Sequence, residues 1–277
     1  MPLPMSSRCI SLRAQDWPLV ASIFGVTPKE WICPLGPPRS KLTPALESTM
    51  FDGTKIMRFR ERIADMRGRG AYEGWPNAHR AIFIHIPKTG GSSVARALFG
   101  DSRHVPYFEY ERINPRKFRR FFKFSFVRNP WDRLVSTYFF LKNGGVNELD
   151  RRFAAEKLAG YDNFSAFVEG WLSEQNIRSW VHFMPQHYFI CDAKRRVRMD
   201  FVGRTETIAA DFRTVCERLG VAAQLKWTNR GDHRPYVDYY TEALRERVAA
   251  VYAEDIAIFG YQYDPRPARS LASLDRA

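Results

Sequence analysis

The chain has 277 residues, 45% of them hydrophobic, with 21 Phe, 12 Tyr and 7 Trp. That is enough apolar material for one large α/β domain, and it excludes a generally disordered chain. Lys and Arg number 43 against 30 Asp and Glu, a formal charge of +13, which fits an anionic partner (nucleotide, nucleic acid, acidic polysaccharide or anionic membrane) as well as a plain solvated basic surface.

Residues 1–50 hold eight prolines and no steady apolar period, and read as an extension, partly disordered or draped over the domain. The longest apolar run there, Trp17 to Val26, is interrupted by Pro18 and is shorter than the about 20 residues of a bilayer span. With no signal peptide or membrane anchor in view, the expected location is the cytoplasm, with peripheral membrane association open. Cys9, Cys33, Cys191 and Cys216 form no Cys-x-x-Cys pair and read as free thiols in a reducing compartment. Within residues 51–78, Thr54 to Arg69 places Ile56, Phe59, Ile63 and Met66 three and four apart, the spacing of a basic amphipathic helix packed on the main domain.

The main domain is expected over residues 79–264, followed by a loose tail over 265–277. Ala81 to Ile86 is a short apolar run that suits a buried parallel strand. A Gly-rich turn and a helix from Ser93 to Phe99 follow. Phe121 to Val127 is a second strand. Asn129-Pro130 then reads as an N-cap and the first helical residue, opening a helix with Trp131, Leu134, Val135, Tyr138 and Phe139 on one face and Trp131 and Tyr138 in the core. Phe164 to Trp171 is a further helix. Tyr188 to Cys191 and Met199 to Val202 read as short strands around Lys194-Arg195-Arg196. Thr205 to Leu219 is a helix closed by Gly220, and Thr241 to Phe259 is one long helix closed by Gly260, with Leu244, Val248, Val251, Tyr252 and Phe259 facing the core. Strand-turn-helix followed by strand-helix implies a parallel sheet.

Pro87-Lys88-Thr89-Gly90-Gly91-Ser92-Ser93 joins the first strand to its helix. Two glycines let the backbone turn its N–H groups inward, and the helix start adds partial positive charge and free donors. Lys88 adds a full charge; Thr89, Ser92 and Ser93 add hydroxyls. The loop suits a phosphate or phosphosulfate. In a Walker loop the lysine follows the glycines; here it precedes them, and no acidic strand end is evident to hold magnesium. Arg128 ends the second strand, at the edge where open α/β sheets bind ligands. Ser136 lies about two turns along the next helix at ~1.5 Å per residue, so a guanidinium fork and a hydroxyl can meet one phosphate. A salt bridge or a strand-end cap is the plain alternative for Arg128. Asp132 and Arg133 read as a mutually neutralising pair or a helix cap.

Phe83-Ile84-His85-Ile86-Pro87-Lys88-Thr89-Gly90-Gly91-Ser92-Ser93 resembles the 5′-phosphosulfate loop of the sulfotransferase family 2 group, which includes Golgi carbohydrate sulfotransferases such as the heparan sulfate 2-O-enzymes and many bacterial members. Arg128-Asn129-Pro130-Trp131-Asp132-Arg133-Leu134-Val135-Ser136 resembles its second motif, and the resemblance runs from about Ala81 to Tyr263. It implies an α/β, P-loop-like three-layer fold with a central, mostly parallel sheet flanked by helices. It also implies 3′-phosphoadenosine 5′-phosphosulfate (PAPS) as co-substrate, the desulfated nucleotide PAP as product, and no required metal. Pro87 to Ser93 would hold the 5′-phosphosulfate, Lys88 the bridging oxygen of the leaving 5′-phosphate, and Arg128 with Ser136 the 3′-phosphate. Weaker matches at His182-Phe183-Met184-Pro185-Gln186, at Phe201-Val202-Gly203-Arg204-Thr205-Glu206 and at Asn229-Arg230 add Arg204 and Arg230 as nucleotide ligands, with Arg234 beside them; holding its own strand turn is the alternative for Arg204.

Sulfonate transfer needs an in-line hydroxyl, a base for its proton and stabilisation of the leaving oxygen. Histidine titrates near neutrality, and there are six: His79, His85, His104, His182, His187 and His233. His85, inside the first strand, reads as a core histidine. His104 lies between the two motifs, where family members with a proposed histidine base carry it, often as Gly-His; here Arg103 stands in that glycine's place. His104 is therefore the candidate base, with Glu109 and Glu111 behind it. The expected acceptor is a hydroxyl of a glycan or glycolipid, not a nucleic acid. Basic stretches from Arg112 to Lys123 and from Lys194 to Arg198 either steer an anionic acceptor or are solvated faces. The rival classes are a magnesium-dependent P-loop kinase or nucleotide hydrolase, and a degenerate sulfotransferase-fold protein that binds acidic polysaccharide.

Overall fold

The computed structural model describes residues 61, 63–226 and 233–264. The extension over 1–50, the helix expected from Thr54 as far as residue 60, Asn229 and Arg230, and the tail over 265–277 lie outside the described residues. Helix α1 (Trp75–His79) leads into β1 (Ala81–Ile84), α2 (Gly91–Leu98), α3 (Tyr107–Ile113) and α4 (Pro115–Arg120). Then come β2 (Phe122–Val127), α5 (Pro130–Lys142), α6 (Glu148–Phe153), α7 (Phe164–Gly170) and α8 (Gln186–Ile190). The domain closes with β3 (Phe201–Arg204), α9 (Ile208–Leu219), α10 (Glu242–Val251) and α11 (Ala253–Phe259).

The three strands form one parallel sheet in the order β1-β2-β3, with Ile84 opposite Ser125 and Val127 opposite Arg204. Alternation sends Phe83, Phe124 and Phe126 to one face, where they pack against Val94 and Ala95 of α2 and Ile208, Phe212 and Val215 of α9. Burying such a phenylalanine contributes roughly 1.5–3 kcal/mol. Ile82, Ile84 and Val127 on the other face are equally buried, so helices flank the sheet on both sides, as a parallel sheet requires. The strands' C-terminal ends share one edge. There the Thr205 hydroxyl reaches both the Thr89 carbonyl at 2.9 Å and the Val127 carbonyl at 3.1 Å, joining all three strand ends.

Four expectations change. Tyr188 to Cys191 is not a strand: α8 occupies 186–190, because the Asp255 carboxylate accepts from the Gln186 and His187 N–H groups at 2.7 and 2.9 Å and caps the helix from far along the chain. The third strand starts at Phe201 rather than Met199; Asp200, paired with Lys123 at 2.7 Å, leads into it. The long C-terminal helix breaks at Tyr252, whose hydroxyl donates to the Phe183 carbonyl at 2.8 Å. Met66, expected on an apolar helix face, is 85% exposed, while neighbouring Asp65 is buried and binds Asn114 and Lys117. Polar ties hold that segment where apolar packing was expected. The caps at Asn129, Gly220 and Gly260 are as expected.

Candidate functional site

The loop after β1 is shaped by its own sequence. Gly90 lies in the left-handed region at φ 79, and so does Lys88, a non-glycine residue, at φ 66. That conformation costs free energy for a residue with a Cβ. Neighbouring bonds hold it: Thr89 Oγ1 donates to the Ile86 carbonyl at 2.9 Å, Arg133 Nε to Pro87 at 3.0 Å and Arg128 Nη1 to Lys88 at 3.2 Å. Gly91 must be glycine for a different reason: a Cβ there would stand 2.1 Å from Cδ2 of the His85 ring. Helix α2 then begins, with Ser92 and Ser93 in its first turn. The Lys88 ammonium lies 3.9 Å from the centroid of the Phe140 ring. Burial, with Arg128 and Arg133 nearby, pulls its pKa down to about 7, against an opposing pull from Asp150.

The turn after β2 is shaped from a distance. Gln186 clamps Arg128 by accepting from its N–H and donating to its carbonyl, both at 2.8 Å. Glu206 accepts from the Asn129 N–H at 2.6 Å. Asn129 caps α5 through Trp131 N and Asp132 N, with Pro130 in the first turn. The expected Asp132–Arg133 pair does not form. Asp132, in the first turn of α5, instead takes Nε and Nη2 of Arg128, which stands just before the Asn129 cap, each at 2.8 Å. Arg133 is buried and donates to the carbonyls of Pro87, His182 and Met184. Ser136 is buried one turn beyond Asp132, on the same side of α5 as the residue that holds Arg128.

His104 reaches the loop. Its Nδ1 lies 3.1 Å from the His85 carbonyl, so that nitrogen carries the proton and Nε2 the lone pair. Burial, with His85 and His182 beside it, keeps its pKa well below the usual value. His85 is buried against Gly91, with Nδ1 2.7 Å from the Ser102 hydroxyl; burial lowers its pKa to about 4, which is the core role expected of it. His182 joins them, its ring 5.7 Å from that of His104 and 4.9 Å from that of Phe140, with Nε2 3.2 Å from the Asp150 carboxylate.

Other expected residues stand elsewhere. Arg204 donates to the Phe259 carbonyl at 2.5 Å and lies over the Tyr261 ring at 4.5 Å, so its guanidinium fastens the end of β3 to the segment after α11. Arg234 lies over Tyr239 and lines, with Phe139 and Asp162, a cavity of about 340 Å³. Glu109 and Glu111 pair with Arg112 and Arg198, and His187 is bound by Asp255 and Glu254. Of the basic stretches, Arg112, Lys117, Lys123, Arg195, Arg196 and Arg198 are ion-paired, whereas Arg116, Arg119 and Arg120 are exposed. The residues that sequence reasoning missed are Arg133 as a brace, Gln186, Glu206, and the Asp150–His182 pair. The family-like segments at 182–186 and 201–206 were the signal for three of them.

The family model described as "Sulfotransferase family" matches residues 77–262. The chain is 27% identical over 224 residues to carbohydrate sulfotransferase 14 of Danio rerio, covering 66% of this chain and 60% of that protein. Against carbohydrate sulfotransferase 14 of Homo sapiens the identity is 30% over 221 residues, covering 66% and 58%. Against carbohydrate sulfotransferase 12 of Mus musculus it is 27% over 182 residues, covering 54% and 42%. The match thus spans 42% to 60% of the length of these three curated relatives.

Proposed function

The chain belongs to the sulfotransferase family, and on that premise we propose that it transfers the sulfonate of PAPS to a hydroxyl of a carbohydrate, free or in a glycolipid, by direct in-line displacement. The observation that carries this reading is a cluster of cations short of an anion. The Lys88 ammonium, from the loop that leads into α2, rests on the Phe140 ring of α5, with the guanidinium groups of Arg128 and Arg133 close enough to lower its pKa. An anionic group at that helix start supplies the missing charge.

In this reading the amides and hydroxyls from Gly90 to Ser93 hold the 5′-phosphosulfate, and Lys88 meets the oxygen that leaves with the 5′-phosphate. Arg128 and Ser136 take the 3′-phosphate. The Arg128 Nη1–Lys88 carbonyl bond links the two halves of the site. Thr89 and Pro87 act through the backbone, since their polar atoms serve the loop itself. Arg204 supports β3, and Arg230 is kept as a nucleotide ligand on the sequence resemblance alone. The proton of the acceptor passes to an imidazole at the end of β1, for which His104, with Nδ1 held by the His85 carbonyl, is the candidate that the sequence singles out. A carbohydrate acceptor is supported by the relatives' names. The reaction assigns no step to a metal.

Calorimetric titration with PAP and with ATP, with and without magnesium, tests the nucleotide. Tight, magnesium-independent binding of PAP with weak binding of ATP is expected. Preference for ATP overturns the reading in favour of a kinase or hydrolase. Tight PAP binding with no transfer to a panel of glycans and glycolipids points to a degenerate binding protein.

A further inference from the structure

Helix α5 carries a second concave surface, one turn beyond Ser136. There Tyr138 and Phe139 face Phe164 of α7 and Tyr239 around the cavity of about 340 Å³. Small-ligand pockets run from about 300 to 1,000 Å³, so this one suits a short piece of a chain. Its wall is aromatic: the rings of Phe139 and Tyr239 are half-buried and 5.1 Å apart, and Phe164 lies 5.8 Å from Tyr239 and 5.5 Å from Tyr138. Its rim is charged: Asp162, Arg234 and Asp238 are exposed there. None of the three forms an ion pair among the described residues. The Arg234 guanidinium lies over the Tyr239 ring instead, 5.1 Å from its centroid, and the Arg234 N–H donates to the Tyr239 hydroxyl at 3.1 Å. Burial, and then the Asp162 carboxylate, raise the pKa of the Tyr138 phenol, which puts that carboxylate close to the aromatic wall.

The chain holds this rim in place. Asn163, next to Asp162, caps α7 by accepting from the Ala166 N–H at 3.0 Å. Asp238 and Tyr239 belong to a short 3-10 helix over Tyr236–Tyr239, which the Tyr236 hydroxyl ties to the Asp264 carbonyl at 2.7 Å. An aromatic wall with planar polar groups around it is complementary to a sugar ring. The C–H face of the ring packs on an aromatic face, carboxylates accept from neighbouring hydroxyls, and a guanidinium donates to ring and hydroxyl oxygens. Charge decides which sugar. Two carboxylates against one guanidinium leave the rim net negative, on a chain whose formal charge is +13. An anionic sugar meets repulsion there, whereas an uncharged one brings the donors that the carboxylates need.

The cavity and the loop lie against adjacent sides of one helix. Phe139 lines the cavity, and Phe140, the next residue, carries the Lys88 ammonium 3.9 Å from its ring centroid. Successive helical residues point about 100° apart. A molecule that fills the cavity and also offers a hydroxyl at Lys88 therefore bends around α5 and needs more than one sugar residue. We propose that the cavity is a subsite for an uncharged sugar residue of the acceptor, distinct from the residue that receives the sulfonate. Phe139 and Tyr239 form its stacking wall, and Asp162, Asp238 and Arg234 bind its hydroxyls. This rests on the sulfotransferase reading.

The test uses the full chain loaded with PAP and reads sugar binding by saturation-transfer NMR. The probes are lactose, maltose and cellobiose, with cellobiouronic acid as the anionic twin of cellobiose. At least one neutral disaccharide should bind, and cellobiose should bind better than its uronic acid. The double variant Asp162→Ala, Asp238→Ala, which changes only exposed side chains, should weaken the neutral disaccharide about tenfold or more, the scale of a lost hydrogen bond to a charged group. Its PAP affinity in calorimetry should be unchanged. Asp162→Lys should reverse the preference toward the uronic acid, which a merely structural role would not do. Where a bound disaccharide is also turned over, the double variant should raise KM and keep kcat, the mark of binding shared by ground and transition states. Binding of no neutral disaccharide, a wild-type preference for the uronic acid, or full affinity in the double variant each overturns the inference while PAP binding, and with it the parent reading, survives. Absence of PAP binding by the wild type overturns the parent reading, and the acceptor role of the cavity with it.

Discussion

The loop after β1 and the turn after β2 end neighbouring strands at the same edge of the sheet, yet they are built in opposite ways. The loop draws its shape from contiguous residues: its left-handed residues, its hydroxyl turn at Thr89 and its helix start all lie between Ile86 and Ser93, and distant Arg133, Arg128 and Thr205 only brace its carbonyls. The Arg128 turn is held by Gln186 from 58 residues away and by Glu206 from 77. Contiguous chemistry gives a motif; distributed chemistry gives a brace whose members look unrelated until the chain folds. The loop also carries the charge that the reaction is proposed to use, whereas the turn carries the charge proposed to bind.

If that division holds, damage to the loop removes turnover and damage to the turn removes affinity. Lys88→Ala should lower kcat by about 10²–10³-fold, the scale of one lost transition-state donor, with PAP affinity in calorimetry reduced far less. Arg128→Ala should raise the Kd of PAP by roughly 10–100-fold, from the about 1.5–3 kcal/mol of a hydrogen bond to a charged group. Equal losses of kcat and affinity in both variants would break the comparison.

Acidity sharpens it. Lys88 is lowered to about 7 in the unliganded protein, first by burial and then by Arg128 and Arg133. A lowered lysine loses its proton as pH rises through that value. Because kcat/KM reports the free enzyme, it should fall on the alkaline side of about 7. The bound anion favours the ammonium, so kcat should hold to higher pH. A kcat/KM flat to pH 9 would show that Lys88 is not the titrating group.

This contrast also sets what was legible in the sequence. β1, β2, the loop and the Asn129 cap carry their signal in contiguous residues, and their positions follow from pattern. Helix α8 did not, because Asp255 supplies its cap. Adjacent helical residues point apart, so Arg133 does not meet Asp132, and the carbonyls that it serves belong to Pro87, His182 and Met184. Asp150 carried no signal at all: its meaning comes only from His182 folding back beside it.

The smallest effect discriminates most finely. Gln186 is fully buried and touches only backbone at Arg128, so Gln186→Ala removes no group proposed to meet the nucleotide. It leaves the Arg128 N–H and carbonyl without their partner, at about 1–3 kcal/mol for a buried unsatisfied group, and urea titration should read a loss of that size. The proposed Lys88 chemistry should be spared, with kcat nearly unchanged at saturating PAPS. PAP affinity should still fall, by less than in Arg128→Ala, because the guanidinium is aimed by a backbone no longer fixed. Lost stability with unchanged affinity would mean that Asp132 and the Lys88 carbonyl alone aim Arg128, and the turn would then be as locally made as the loop.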